Sequence, residues 1–140
     1  MYKYEEVDKA TFFSEVLRIN YRADDVKEAK EFGCQNIEIC YKKTDKRLAK
    51  YFVIYYDTEP ICTVLLQRNG HIIFFIAENA PNPVALIKCL KELADKVVSS
   101  CGGIITKTAL WYAEAQRLNK IIGFEEYEIY DYYGFYVKVK

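Results

Sequence analysis

The sequence predicts an α+β domain: one mixed, mostly antiparallel sheet with helices on both of its faces. Three observations predict it. Residues 51–56, 61–66 and 72–77 are apolar runs of strand length, separated by the turn residues Asp57-Thr58-Glu59-Pro60 and the 67–70 stretch, which is an antiparallel meander. A long amphipathic helix follows the third run directly. A second strand-helix unit and a hairpin then close the chain.

In chain order, residues 2–7 have the character of a short first strand, with Tyr2 and Tyr4 on one side. Asp8 is a capping residue for a helix through Thr11, Phe12, Phe13, Val16, Leu17 and Ile19. Residues 21–32 predict a second helix, since Val26, Ala29 and Phe32 share a stripe and Gly33 ends it. Residues 35–41 have strand character through Ile37, Ile39 and Tyr41, and the charged stretch 42–50 reads as a solvated connector. After the first two strands of the meander, residues 72–77 form a continuous apolar run, the pattern of a strand covered on both faces. Asn82 is an N-cap and Pro83 a first helical residue. Leu86, Ile87, Leu90, Ala94, Val97 and Val98 then recur at spacings of three and four, up to Cys101 and the Gly102-Gly103 stop. Residues 104–111 read as a strand, 113–122 as a short helix closed by Gly123-Phe124, and 126–130 with 135–139 as a hairpin. The strands before and after the long helix should lie side by side and parallel, joined by a right-handed crossover.

At 140 residues, with no repeat or linker, the chain reads as a single domain, 1–140. Twenty basic residues balance twenty acidic ones, which argues against a general nucleic-acid or membrane-surface role. No apolar run is long enough for a membrane helix, and the first residues do not have the pattern of a signal peptide. Five cysteines without a CxxC pair, and one histidine, make a metal site improbable and favour buried free thiols in a reducing compartment.

The element order, together with the ending NKIIGFEEYEIYDYYGFYVKVK, resembles the GCN5-related N-acetyltransferase (GNAT) fold. That resemblance implies an acetyl-CoA site at the end of the central strand and the start of the long helix: Phe75, Ile76, Ala77, Asn82, Val84 and Ala85, with a strand amide near 75–77 polarising the thioester carbonyl for direct attack by a deprotonated amine. Altering Asn82 or Val84 would then abolish CoA binding. The loop departs from the family's glycine-rich, basic pattern. Residues 78–84 are ENAPNPV, in which Pro81 and Pro83 each remove an amide donor and Glu78 adds negative charge where a pyrophosphate would sit. Asn119 stands where the family often has a tyrosine acid, and Ala113 where it often has an asparagine. Tyr112 or a tail tyrosine is the remaining candidate acid. A narrower resemblance accommodates these departures. Small virion-associated proteins of short-tailed bacteriophages, the T7-type internal virion protein among them, are similar in lacking the glycine loop and in carrying an Arg-x-x-Asp-x-x-Glu helix that ends in glycine. Here Arg22, Asp25, Glu28 and Gly33 match that helix, and Trp111 and Gly123 fit the later elements.

The resemblances imply a non-catalytic virion protein that works by protein contacts, expects no cofactor, and resides in a virion or host cytoplasm. The alternative is a divergent acetyl-CoA-dependent N-acetyltransferase. Taken alone, Arg22, Asp25 and Glu28 at i, i+3 and i+6 read as an ion-pair ladder on a helix surface. His71 reads as a turn-flanking surface residue, Cys62 and Cys89 as core, and Cys34 as more exposed. Tyr127, Tyr130, Tyr132, Tyr133 and Tyr136 outnumber what alternation can bury, so edge packing with an exposed turn and a protein contact both stand as readings.

Overall fold

The computed structural model describes residues 1–44 and 49–140. The elements are β1 (Tyr2–Val7), α1 (Lys9–Arg18), α2 (Ala23–Glu31), α3 (Ile37–Thr44), β2 (Lys50–Tyr56), β3 (Glu59–Leu66), β4 (Ile72–Ile76), α4 (Pro83–Cys101), β5 (Gly103–Ala109), α5 (Ala113–Ile122), β6 (Glu125–Ile129) and β7 (Tyr133–Val139).

Alternation along the meander builds two cores, because successive strand side chains point to opposite faces. Phe52 and Ile54 of β2, Cys62, Val64 and Leu66 of β3, and Ile72 and Ile76 of β4 pack beneath α4 and α5. Val53, Leu65 and Phe75 point the other way, into a second core with Phe12, Val16, Ile37, Cys40 and Tyr41 of α1 and α3. Helix α4 anchors the first core through Leu86, Cys89, Leu90, Leu93, Ala94, Val97 and Val98. Each large apolar side chain fully buried there contributes about 1.5–3 kcal/mol. Asn82 caps the helix in a left-handed conformation, and Gly102 ends it at φ 89°, a backbone region glycine enters without strain.

Two expectations are corrected. Residues 37–41 are helical, because Asn36 captures the first turn: its Oδ1 accepts from Ile39 N–H at 2.8 Å and its carbonyl from Cys40 N–H at 3.0 Å. The buried set is Ile37, Cys40 and Tyr41, a helical spacing that overlaps the alternation of Ile37, Ile39 and Tyr41. The connector expectation for 42–50 covers Lys42–Thr44, which finish α3, and Lys50, which opens β2; residues 45–48 lie outside the described residues.

The second correction concerns the sheet, which is split in two. Strands β1-β2-β3-β4 form one antiparallel sheet and β5-β7-β6 another. β4 and β5 meet only at a parallel bridge between His71 and Ile105, where Ile105 N–H donates to Gly70 O at 2.9 Å. Beyond it they are not paired, and past the end of β4 the α1–α2 connection takes the edge: Tyr21 pairs antiparallel with Ala77. β5 also stops at Ala109, so Trp111 lies in the following turn, stacked on Tyr112. Among the described residues, no helix is long and apolar enough to cross a membrane.

Candidate functional site

Helix α2 lies across the gap between β4 and β5. Arg22 occupies the N-cap position, and the face carrying Asp25 and Glu28 points into the gap. Asp25 is only 2 % exposed. Its Oδ1 accepts from Arg22 Nη2 at 2.8 Å and from Tyr112 Oη–H at 2.6 Å, and its Oδ2 accepts from the Ile76 amide at 2.8 Å. One turn on, Glu28 Oε2 accepts from the Ala109 amide at 2.8 Å. One helix therefore ties the end of β4 to the end of β5 through two carboxylates. This corrects the surface-ladder expectation. Sequence spacing placed the three residues on one helix face, but only the fold turned that face inward.

Burial sets the chemistry of the pair. Desolvation pushes the Glu28 carboxyl up to about 7; the Asp25 charge acts in the same direction, while the Ala109 amide, Arg22 and Lys107 oppose it. Burial and the neighbouring Asp25 carboxylate raise the Tyr112 hydroxyl well above the ordinary tyrosine range, so its proton stays in the bond to Asp25. Arg22 lies 5.5 Å above the Tyr112 ring, and its Nε is buried without a partner among the described residues.

Glu28 also borders a cavity of about 240 Å³ with Phe74, Thr106, Lys107, His71 and Phe135. His71 is thus placed at this cavity rather than simply on a turn, and burial followed by Lys107 lowers its pKa. Cys34 is buried, not exposed, and adds to the burial that pushes the Cys40 thiol up to about 12. Cys62 and Cys89 lie in the first core as expected. Among the described residues, no three His, Cys, Asp or Glu side chains gather into a metal site.

Several of the residues that the family resemblance marks for acetyl-CoA are already engaged. Ile76 N–H is held by Asp25, Ala77 N–H donates to Ile61 O at 2.8 Å, and Glu78 N–H donates to Asn20 O at 2.9 Å. Ile76 O accepts from Arg22 N–H at 2.9 Å. Phe75 pairs with Thr63 in β3 and sends its ring into the second core. At the helix start, Asn82 Oδ1 accepts from Ala85 N–H at 3.4 Å, Pro83 has no amide hydrogen, and Tyr2 Oη–H donates to Pro81 O. Val84 is exposed at the helix end. The six candidates lie at the end of β4 and the start of α4, where Asp25, Asn20 and Arg22 hold the backbone polar groups of Ile76 and Glu78. In the 78–84 loop Pro81 and Pro83 carry no amide hydrogen, the Glu78 amide is committed to Asn20, and no basic side chain is present to meet a pyrophosphate. A cleft of about 390 Å³ opens beside these residues, lined by Ile76, Ala77, Glu78, Pro83 and Arg117. Asn119 is 1 % exposed, and its Nδ2 donates to Thr108 Oγ1 at 2.8 Å, which makes it a packing residue between α5 and β5.

The split sheet, the crossover helix and the closing hairpin define the fold of the GCN5-related N-acetyltransferases, a mixed α+β architecture. Solved structures agree. The chain superposes on the aminoglycoside acetyltransferase AAC(6')-Ib in complex with ribostamycin and coenzyme A with a TM-score of 0.73, at 12 % identity, covering 99 % of this chain and 93 % of that one. An N-acetyltransferase from Staphylococcus aureus Mu50 gives 0.70 at 12 % identity, with 99 % and 97 % covered. The ribosomal-protein-S5-alanine acetyltransferase from Vibrio fischeri gives 0.64 at 12 % identity, with 99 % and 92 % covered. No family model and no curated protein matches the sequence itself.

Proposed function

We propose that this chain uses the GNAT fold as a binding scaffold, acting through contacts with other proteins, and that the strand edge which the family resemblance marks for a cofactor serves here as an internal lock. The observation that supports this most directly is the engagement of the two amides on the free-edge side, Ile76 and Glu78, by Asp25 and Asn20. Calorimetric titration with acetyl-CoA and CoA up to millimolar ligand tests it. The expected result is no heat from protein shown to be folded. Binding at tens of micromolar, about −6 kcal/mol, would overturn it. Arg22, Asp25 and Glu28, which build the lock, are also the residues on which the likeness to virion-associated proteins of short-tailed bacteriophages rests, and we place the protein among these as a particle component. Mass spectrometry of purified particles is the corresponding measurement, and absence of the chain from them would sink that placement.

A second reading, a divergent acetyl-CoA-dependent N-acetyltransferase, is favoured by Glu28. A carboxyl near pH 7 beside a cavity can accept the proton of an amine at neutral pH. It requires Asn20–Arg22 to leave the β4 edge, and it predicts CoA binding that is lost when Asn82 or Val84 is altered.

A further inference from the structure

We propose that β6 is a docking strand for a cationic, extended segment of another protein, which adds to the β5-β7-β6 sheet as a fourth strand. This deepens the protein-contact reading by naming the partner's chemistry. It rests on different residues from the lock.

β6 is the outer strand of its sheet, paired on one side with β7 and on the other with no strand among the described residues. All five of its residues are exposed, so neither face is covered. An open edge offers a row of unpaired amides and carbonyls, the groups through which β-augmentation binds an extended peptide. The charge along it is single-signed. Glu125, Glu126, Glu128 and Asp131 are acidic, and no Lys or Arg occurs between Lys120 and Lys138. In a chain of zero net charge this is a local concentration, not a reflection of composition.

The charge selects the occupant. Pairing with a second copy of β6 would set glutamates against glutamates, and like charges across a strand pair are destabilising. Acidic side chains on an edge strand deter neutral or acidic strands but not a basic one. The pairing register also shows where the partner's side chains would go. Glu125 and Glu128 lie opposite Val137 and Phe135, on the face where Tyr130 packs against Phe135 at 5.8 Å and Tyr133 at 5.2 Å. Alternate Lys or Arg residues of an added strand would meet carboxylates there, beside aromatic faces that attract cations. Glu126 and Ile129 fall on the opposite face, across from Tyr136 and Gly134. Tyr127, at the register shift inside the strand, and Tyr132, in the turn after it, are 68 % and 77 % exposed and available to an interface.

The test uses the full chain and a fluorescein-labelled decapeptide alternating lysine with threonine, at low ionic strength, with an alternating glutamate-threonine peptide as control. The expected result is saturable anisotropy for the lysine peptide only, slowed amide exchange confined to 125–130, and at least tenfold weaker binding to E125K/E128K. Both positions are exposed, so that variant should keep the wild-type circular dichroism. Three outcomes overturn the proposal: no binding at millimolar peptide, binding without protection of the β6 amides, or equal binding to the charge-reversed variant. None of these depends on whether CoA binds, so this proposal and the scaffold reading fail separately.

Discussion

Replacing Glu28 with glutamine should make the protein more stable at neutral pH and leave it unchanged in acid. A solvent-exposed glutamate titrates at 4.5, and Glu28 in the fold at about 7. Because the folded value is the higher one, the native state holds a proton that the unfolded state has released between these two pH values. The stability from this group is therefore complete below pH 4.5 and is lost as pH rises through 7. At about 1.36 kcal/mol per pH unit, the loss amounts to about 3 kcal/mol. Glutamine copies the protonated, neutral form in shape, and its Oε1 can still accept from the Ala109 amide. Urea unfolding of both proteins at half-unit steps from pH 4 to 8.5 should give coincident stabilities at the acid end. The curves should separate through the window until Glu28→Gln leads by about 3 kcal/mol. Parallel curves across the whole range, or a Glu28 carbon resonance titrating near 4.5, would refute the claim that α2 buries this carboxyl against β5.

Three further outcomes follow from the same geometry. Asp25→Asn replaces an acceptor that faces the Ile76 amide, the Tyr112 hydroxyl and the Arg22 guanidinium, and should cost about 3–5 kcal/mol in urea unfolding. Tyr112→Phe removes one donor of that set and leaves Asp25 two others; a loss of about 1–2 kcal/mol is expected, with no change in the far-ultraviolet circular dichroism. Native protein at pH 7 should react rapidly with a thiol reagent at Cys101 alone, because Cys34, Cys40, Cys62 and Cys89 are buried; denaturation should release the remaining four.

The sequence by itself determined the elements whose signals are local. Asp8 and Asn82 cap helices as read, and β1 begins and ends where its pattern does. The meander forms as a meander, and the order of units identifies the fold, because caps, turns and apolar periods act over a few residues. Residues 35–41 show the limit of that reading. There two periods share Ile37 and Tyr41, and Asn36 decided between them.

The site was decided by tertiary structure. The sequence announced Arg22, Asp25 and Glu28 as one helix face, but a charged face reads the same whether water or a neighbouring strand lies against it. The partners that turned it inward are backbone amides of Ile76 and Ala109, 51 and 81 residues away, which no side-chain pattern records. The same contacts keep β4 and β5 apart beyond His71 and Ile105. The split of the sheet and the burial of the carboxylates are thus one event, settled by how α2 packs across the gap.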